Sequence, residues 1–194
     1  MSVVGFVLAG GRSLRMGRDK ALLPWRDTDL LGHAVARLRE VTSDVRILCG
    51  PEPRYLGRGA PVEADLVEDA GPLAGILTGL TVADGRAGLF LAVDLPLVPT
   101  SLIAWLVEQA ASVDAVVPRS PRGLEPLCAV YGPACRPAIR RRMAAGDLSV
   151  SAPWPGLRVL EVGPDALVAF GDPAGIFANV NTAADLALVR GRAG

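Results

Sequence analysis

The chain has 194 residues, of which 51% are hydrophobic and 5% aromatic, and its formal net charge is zero. This length is enough to bury a large core, so one compact domain over residues 1–194 is expected. The balanced charge disfavours a general affinity for nucleic acid or for an anionic membrane surface. Furthermore, no apolar stretch approaches the roughly 20 residues that a membrane span needs.

The amino-terminal segment and the cysteines bear on the compartment in which the protein works. The first eleven residues lack the basic start and the cleavage site of a secretory signal. Cys49, Cys128 and Cys135 are odd in number and have no metal-like spacing, so neither a disulfide framework nor a zinc site is expected. These features favour a reduced cytoplasm.

The predicted elements alternate along the chain between apolar strands and amphipathic helices. Strands are predicted at residues 3–8, 44–49, 62–67, 88–93, 115–117, 127–131 and 157–162. Helices are predicted at residues 30–41, 71–80, 135–145 and 182–189, and one more is predicted to begin after a cap at Thr100 or Ser101. Such alternation predicts βαβ units, and therefore an α/β fold with a Rossmann-like, doubly wound and mostly parallel sheet in a single domain.

The segment after the first predicted strand is rich in glycine and in positive charge. Its glycines, within LAGG at residues 8–11, lie where ligands bind in open α/β sheets, and they let backbone N–H groups approach a phosphate closely. Positive charge comes from Arg12, Arg15, Arg18 and Lys20, which is the only lysine of the chain. Neither G-x-x-x-x-G-K-[ST] nor G-x-G-x-x-G is present, which disfavours a P-loop NTPase and a dinucleotide-binding dehydrogenase.

A second polar position follows the strand predicted at residues 88–93. Asp94 comes directly after that strand, at its carboxyl end. Because Mg²⁺ prefers one or two carboxylates together with phosphate oxygens, Asp94 is predicted to be a magnesium ligand. The alternative is a turn residue ahead of Pro96. The single histidine, His33, lies in a predicted helix, where a structural or solvated role is expected.

The sequence LAGGRSLRMGRDKALL at residues 8–23 closely resembles the signature of the molybdenum cofactor guanylyltransferases, in the MobA-like nucleotidyltransferase family. Four further segments fall in the order of that family: GPLAGI at 71–76, FLAVDLPLVP at 90–99, EPLCAVY at 125–131 and FANVNTAADL at 177–186. Related cytidylyltransferases tend to carry LAAG where this chain has LAGG, so the resemblance favours guanine over cytosine.

The resemblance implies a fold of the nucleotide-diphospho-sugar transferase type and an Mg²⁺-dependent transfer reaction. The GMP part of GTP would be joined to the terminal phosphate of molybdopterin, with release of pyrophosphate, and other enzymes of cofactor synthesis would be transient partners. Such a transfer requires positioning and charge neutralisation more than proton removal, because the attacking phosphate oxygen is already anionic. Three alternatives stay open: CTP as the donor, another phosphate acceptor, or a nucleotide-binding module without catalysis.

The resemblance also implies roles for residues of the first loop. Leu8, Ala9 and Gly10 would make backbone contacts to the nucleotide, and Gly11 would approach a phosphate closely. Arg15 matches the family arginine and would hold the leaving pyrophosphate.

The resemblance also implies roles for a lysine and for one of two acidic residues. Lys20 would neutralise the triphosphate, and with Arg15 and Asp94 it makes up the expected catalytic set. The family places an acid near the base and ribose shortly before GPLAG, where Asp65 and Asp69 both qualify. The spacing to the first glycine of GPLAG favours Asp65, whereas the hydrophobic pair shortly ahead of Asp69 favours that residue; of the two, Asp65 is preferred.

The last implied site is on the acceptor side. Asn179 and Asn181 match an N-x-N-T segment of the family that is associated with molybdopterin, and alternation in a strand-like stretch would point both amides the same way. The loop at residues 122–126 could also contact the pterin. Where some family members have Asn after the second strand, this chain has Cys49 and Gly50, so base contacts from that strand are left open.

Overall fold

The structure, a computed structural model, describes residues 2–10, 19–68, 70–150 and 154–192. Its strands are β1 (Val3–Leu8), β2 (Pro24–Trp25), β3 (Thr28–Asp29), β4 (Val45–Leu48), β5 (Val62–Glu63), β6 (Ala87–Ala92), β7 (Ala115–Ser120), β8 (Gly123–Leu124), β9 (Cys128–Tyr131) and β10 (Val159–Val162). Its helices are α1 (Leu30–Arg39), α2 (Gly71–Val82), α3 (Thr100–Gln109), α4 (Cys135–Ala144), α5 (Pro164–Leu167), α6 (Pro173–Ile176) and α7 (Ala183–Arg192). The predicted alternation of strands and helices is confirmed.

The main sheet has the strand order β10-β7-β9-β6-β1-β4-β5, and β8 pairs with β7 outside that path. Strand β1 pairs in parallel with both β4 and β6, which places it at the centre of the sheet. Strand β9 runs antiparallel between β6 and β7. Only residues 121–127 connect β7 to β9, and a parallel crossover needs a dozen residues or more. The mostly parallel α/β sheet is therefore confirmed, with β9 and the short β8, which pairs antiparallel with β7, as the exceptions.

Helices cover both faces of the sheet. Within β1, Val3 and Val7 pack into the apolar layer that contains α1 and α3, whereas Val4 and Phe6 pack into the layer that contains α2 and α4. Because successive side chains of a strand point to opposite faces, one continuous apolar run supplies both layers. The doubly wound arrangement that was predicted follows from this burial on two sides. Among the described residues, no helix is both long and apolar enough to cross a membrane.

Several predicted boundaries differ from the structure. Strand β5 ends at Glu63 rather than at residue 67, and the residues that follow it are irregular. Helix α3 follows Pro99 as its N-cap, without a side-chain cap hydrogen bond, so the predicted cap at Thr100 or Ser101 is wrong. The short hairpin of β2 and β3 was not predicted, because two-residue strands carry no recognisable period.

Candidate active site

The loops that follow β1, β4 and β6 meet at one edge of the sheet. The Ala9 N–H donates to the Leu48 carbonyl at 2.9 Å, and the Val93 N–H donates to the Leu8 carbonyl at 3.1 Å. These hydrogen bonds continue the parallel ladder by one residue past the ends of the strands. The first loop and the segment that carries Asp94 therefore leave the sheet side by side, at the carboxyl edge where α/β sheets bind ligands.

Three of the predicted site residues come together at this edge. Lys20 Nζ donates to Asp94 Oδ2 at 2.7 Å and to Asn181 Oδ1 at 3.4 Å. The side chains of Lys20 and Asp94 are 20% and 18% exposed, so their ion pair is sheltered but open to a ligand. In sequence, Asp94 and Asn181 are 74 and 161 residues away from Lys20. This group of three side chains is called the lysine cluster below.

A short turn holds Lys20 in this position. Lys20–Leu22 form one turn of 3₁₀ helix, and the Asp19 carboxylate caps it by accepting from the Ala21 N–H at 3.0 Å. Ala21 is buried in the core and anchors the turn from below. Lys20 is thus presented by a capped and packed element.

The Asp94 segment is held from two sides. The carbonyl of Pro96 accepts from Arg37 Nη1 at 3.1 Å, and His33 Nε2 lies 3.1 Å from the same oxygen, a hydrogen bond that requires the proton on Nε2. The Val180 N–H donates to the Asp94 carbonyl at 2.9 Å. Burial lowers the pKa of Arg37 to about 10, which leaves it charged at neutral pH. The structural role expected for His33 is confirmed, and the sequence analysis missed the role of Arg37.

The segment at residues 177–181 is not a strand, so its predicted strand-like character is wrong. Its burial nevertheless alternates, with Ala178 and Val180 buried and both asparagines exposed on the other side. The Asp185 carboxylate accepts from the N–H groups of Asn181 and Thr182 at 2.9 and 2.8 Å. Backbone groups ahead of α7 are therefore satisfied by Asp185, and the amide of Asn181 is left to face Lys20.

Asp65 follows β5 in the chain and lies at the same edge of the sheet. Its N–H donates to the Gly50 carbonyl at 2.8 Å, whereas its buried Oδ1 has no hydrogen-bond partner within the described ranges. Burial raises the pKa of this carboxyl. A Cβ added at Gly75 of α2 would lie 3.8 Å from Asp65 Oδ1 and 2.9 Å from Leu8 Cδ2, so the small residue keeps both groups close to the helix.

The exits of β1 and β4 touch at two glycines. A Cβ added at Gly10 would lie 2.8 Å from the backbone nitrogen of Gly50, a distance that side chains do not reach. The Cys49 side chain is buried, with its Sγ 3.2 Å from the Glu52 carbonyl and 3.3 Å from the Glu63 carbonyl. Gly10 is thus required by close backbone approach, and the Cys49 thiol points into its own loop.

Three predicted site residues lie outside the described residues. They are Gly11, Arg15 and Asp69. The roles given to Gly11 and Arg15, and the choice of Asp65 over Asp69, stay predictions.

Comparison with known proteins shows the family of the chain. The family model of the MobA-like NTP transferase domain matches residues 5–153. The chain belongs to the MobA-like NTP transferase family. The matched range includes the first loop, Lys20, Asp65 and Asp94, whereas Asn181 lies beyond it.

Two relatives within this family are similar to the chain over nearly their whole length. The chain is 37% identical to a Pelotomaculum thermopropionicum protein named "Probable molybdenum cofactor guanylyltransferase", over 98% of this chain and 93% of that protein. It is 31% identical to the molybdenum cofactor guanylyltransferase of Desulfosudis oleivorans, over 95% of this chain and 93% of that protein. The predicted family resemblance is confirmed.

A solved structure has the same fold as this chain. Molybdopterin-guanine dinucleotide biosynthesis protein A from Archaeoglobus fulgidus superposes with a TM-score of 0.80 at 24% identity, covering 100% of this chain and 98% of that one. At this identity the likeness concerns the fold alone.

Proposed function

We propose that this protein transfers GMP from GTP to the terminal phosphate of molybdopterin and releases pyrophosphate. The observation that carries the proposal is the lysine cluster, which joins a cation, a carboxylate and an amide oxygen beside the first loop. Family membership and the names of the relatives support the same activity. We also propose that the protein works in the cytoplasm and makes transient contact with other enzymes of cofactor synthesis.

For this reaction the protein has to position the molybdopterin phosphate and the α-phosphate of GTP, and it has to balance their negative charge. An oxygen of the molybdopterin phosphate forms a new bond to the α-phosphorus of GTP. The bond from that phosphorus to the oxygen that bridges to the β-phosphate breaks, and pyrophosphate leaves with the electron pair. In this proposal the ammonium of Lys20 neutralises the phosphates, and no general base is needed because the attacking oxygen is already anionic.

The residues present also fit Mg²⁺. The carboxylate of Asp94 and the amide oxygen of Asn181 both approach the same Lys20 Nζ, so oxygen atoms of the kind that Mg²⁺ prefers are gathered at one point. In this proposal Asp94 holds the ion together with phosphate oxygens. When bound, Mg²⁺ supplies positive charge that offsets the charge of the transferring phosphoryl group.

A pyrophosphate-release assay tests the proposed reaction. With molybdopterin and Mg²⁺ supplied, GTP is expected to give turnover and CTP much less. Faster turnover with CTP would reassign the donor nucleotide, and turnover with another phosphate compound in place of molybdopterin would reassign the acceptor. Binding of GTP without pyrophosphate release would favour a non-catalytic nucleotide-binding module.

Asp65 gives the proposal a residue that can distinguish guanine from cytosine. Its side chain is only partly buried, so a ligand can reach its carboxylate, although one oxygen is buried and has no donor within the described ranges. Guanine offers two neighbouring donors, N1–H and the 2-amino group, whereas cytosine offers one amino group beside acceptors. We therefore expect Asp65→Asn to lower kcat/KM for GTP by about 10- to 150-fold, the range for hydrogen bonds to a charged group, and to affect CTP less.

The matched control for Asp65→Asn is Glu68→Gln, which changes an exposed acid in the same segment. Its kcat/KM is expected to stay near that of the unmodified protein. Equal losses with GTP and CTP in Asp65→Asn would place Asp65 at the ribose. An unchanged kcat/KM would make Asp69 the acid on the nucleotide side.

The two asparagines are proposed to contact molybdopterin. Asn179 is exposed, and Asn181 lies 3.4 Å from Lys20, the residue proposed to neutralise the reacting phosphates. Asn179→Ala and Asn181→Ala are expected to lower transfer by roughly 2- to 150-fold, because each loses about 0.5–1.5 kcal/mol, or up to 3 where a buried partner is left unpaired. Affinity for GTP, measured by calorimetry, should be spared.

Thr182→Ala is the matched control for the asparagine variants. The Thr182 hydroxyl accepts from the Asp185 N–H at 3.1 Å, so its loss weakens the start of α7 without removing either amide. If this variant loses as much transfer as the asparagine variants, the asparagines only support the fold. Loss of GTP affinity alone in the asparagine variants would place them at the nucleotide.

A further inference from the structure

The loop between β4 and β5 carries a tyrosine in an unusual backbone conformation. Tyr55 has a φ of +67°, in the left-handed region that residues other than glycine rarely adopt. Such a conformation is strained and persists only where surrounding contacts hold it. The contacts of Tyr55 therefore indicate which groups hold it in this conformation.

The Tyr55 hydroxyl joins the two flanks of the first loop. It donates to Asp19 Oδ2 at 2.8 Å and lies 3.3 Å from the Ala9 carbonyl. Ala9 is the first residue after β1, and Asp19 caps the turn that presents Lys20. One half-buried side chain thus contacts the chain on both sides of the glycine- and arginine-rich segment.

Arg54 holds the tyrosine ring in place. Its guanidinium carbon lies 5.3 Å from the centre of the Tyr55 ring, its Nη2 donates to the Cys49 carbonyl at 3.0 Å, and its Nη1 is 3.7 Å from Asp19 Oδ2. The ring is therefore held over the exit of β4 while its hydroxyl reaches Asp19. Burial and the neighbouring Asp19 raise the pKa of the Tyr55 phenol, so it stays a neutral donor at working pH.

We propose that Tyr55 is a positioning residue that clasps the first loop by its two flanks and so sets the place of Lys20. The connection runs from the Tyr55 hydroxyl to Asp19, and from Asp19 through its cap to the Lys20 turn. A misplacement of about 1 Å in a group that orients reacting phosphates can cost about 10²-fold in rate, although the residue moved lies away from the reacting atoms. The effect on turnover rests on the proposed use of GTP.

The test is Tyr55→Phe, which removes the hydroxyl and keeps the ring that Arg54 covers. We expect kcat/KM for GTP to fall about tenfold, because a displaced Lys20 orients the phosphates less well, while the melting temperature falls by no more than about 2–4 °C for the one hydrogen bond lost. In the nucleotide-free protein, hydrogen exchange of the Ala21, Leu22 and Leu23 amides should become faster. Leu56→Ala, at a 75% exposed neighbour in the same loop, is the matched control and should change neither quantity.

A second variant tests whether Tyr55 acts through Asp19. Serine in place of Asp19 can still cap the turn but is too short to reach the phenol. In the Asp19→Ser background, Tyr55→Phe should therefore cost much less than tenfold. The same cost in both backgrounds would overturn the proposal.

Two other outcomes also overturn the proposal: unchanged exchange in Tyr55→Phe, and faster exchange with unchanged kcat/KM for GTP. An equal effect of Leu56→Ala would do the same, because the loop as a whole would then be responsible. If the unmodified protein neither binds nor turns over GTP, the proposed function fails by itself. The exchange comparison in the nucleotide-free protein then still decides whether Tyr55 holds the loop.

Discussion

Lys20→Ala is expected to lower the rate of pyrophosphate release by about 10²–10³-fold, the cost typical of losing a preorganised charge contact to a reacting group. Lys20 is the cation of the lysine cluster, 2.7 Å from Asp94. The substitution leaves the Asp19 cap and the buried Ala21 in place, so the free energy of unfolding should change by no more than about 1 kcal/mol. Steady-state kinetics with GTP and molybdopterin, together with thermal unfolding, measure both effects.

An ion pair at the opposite edge of the sheet provides the control. Arg86 and Asp44 precede β6 and β4 and pair at 2.8 Å, so Arg86→Ala removes a comparable contact far from the site. This variant should keep its turnover. Lys20→Arg should recover part of the rate, because the charge returns with a different geometry. Near-normal turnover in Lys20→Ala would remove Lys20 from the mechanism.

Asp94→Asn is expected to weaken the use of Mg²⁺ more than the binding of GTP. The amide keeps the size of the carboxylate and the backbone contact to Val180, but it loses the charge that holds the ion. Affinity for Mg²⁺ should fall by at least about 10- to 100-fold, the cost of mutating groups that merely support metal ligands. A titration of Mg²⁺ in the presence of GTP, followed by calorimetry and by turnover, measures this shift.

Asp44→Asn is the matched control for Asp94→Asn. Asp44 is also paired with arginine side chains, which lower its pKa, but it lies at the amino edge of the sheet. Its neutralisation should leave the Mg²⁺ dependence unchanged. If Asp94→Asn shows normal Mg²⁺ affinity and normal activity at saturating Mg²⁺, then Asp94 is a turn residue and the ion has other ligands.

Elements with a strong local pattern were predictable from the sequence. Strand β1 has the predicted bounds, and β6 is displaced from its predicted bounds by a single residue at each end. Both are short runs of apolar side chains buried on two faces, a signal that lies entirely within the window of residues that forms the strand. The start of α3 was mispredicted because Thr100 and Ser101 are good capping residues, yet the backbone of Pro99 takes the capping position.

The residues of the candidate active site were likewise only partly predictable from the sequence. Lys20 and Asp94 could be named because each follows an apolar strand within a recognisable motif. That Asn181 faces Lys20 across 161 residues could not, and neither could the contact of Tyr55 with both flanks of the first loop. No sequence signal marks Arg37, whose guanidinium holds the Pro96 carbonyl.

The family, the α/β class and the order of the motifs were predictable from the amino-acid sequence, because these features depend on residue type and on spacing within short windows. Two features became visible only in the folded chain: β9 runs antiparallel between β6 and β7, and three distant side chains form the lysine cluster. A third such feature is the buried oxygen of Asp65, which has no donor in the described ranges. These features depend on which strands become neighbours and which groups lose water, and the packing of the whole chain settles both.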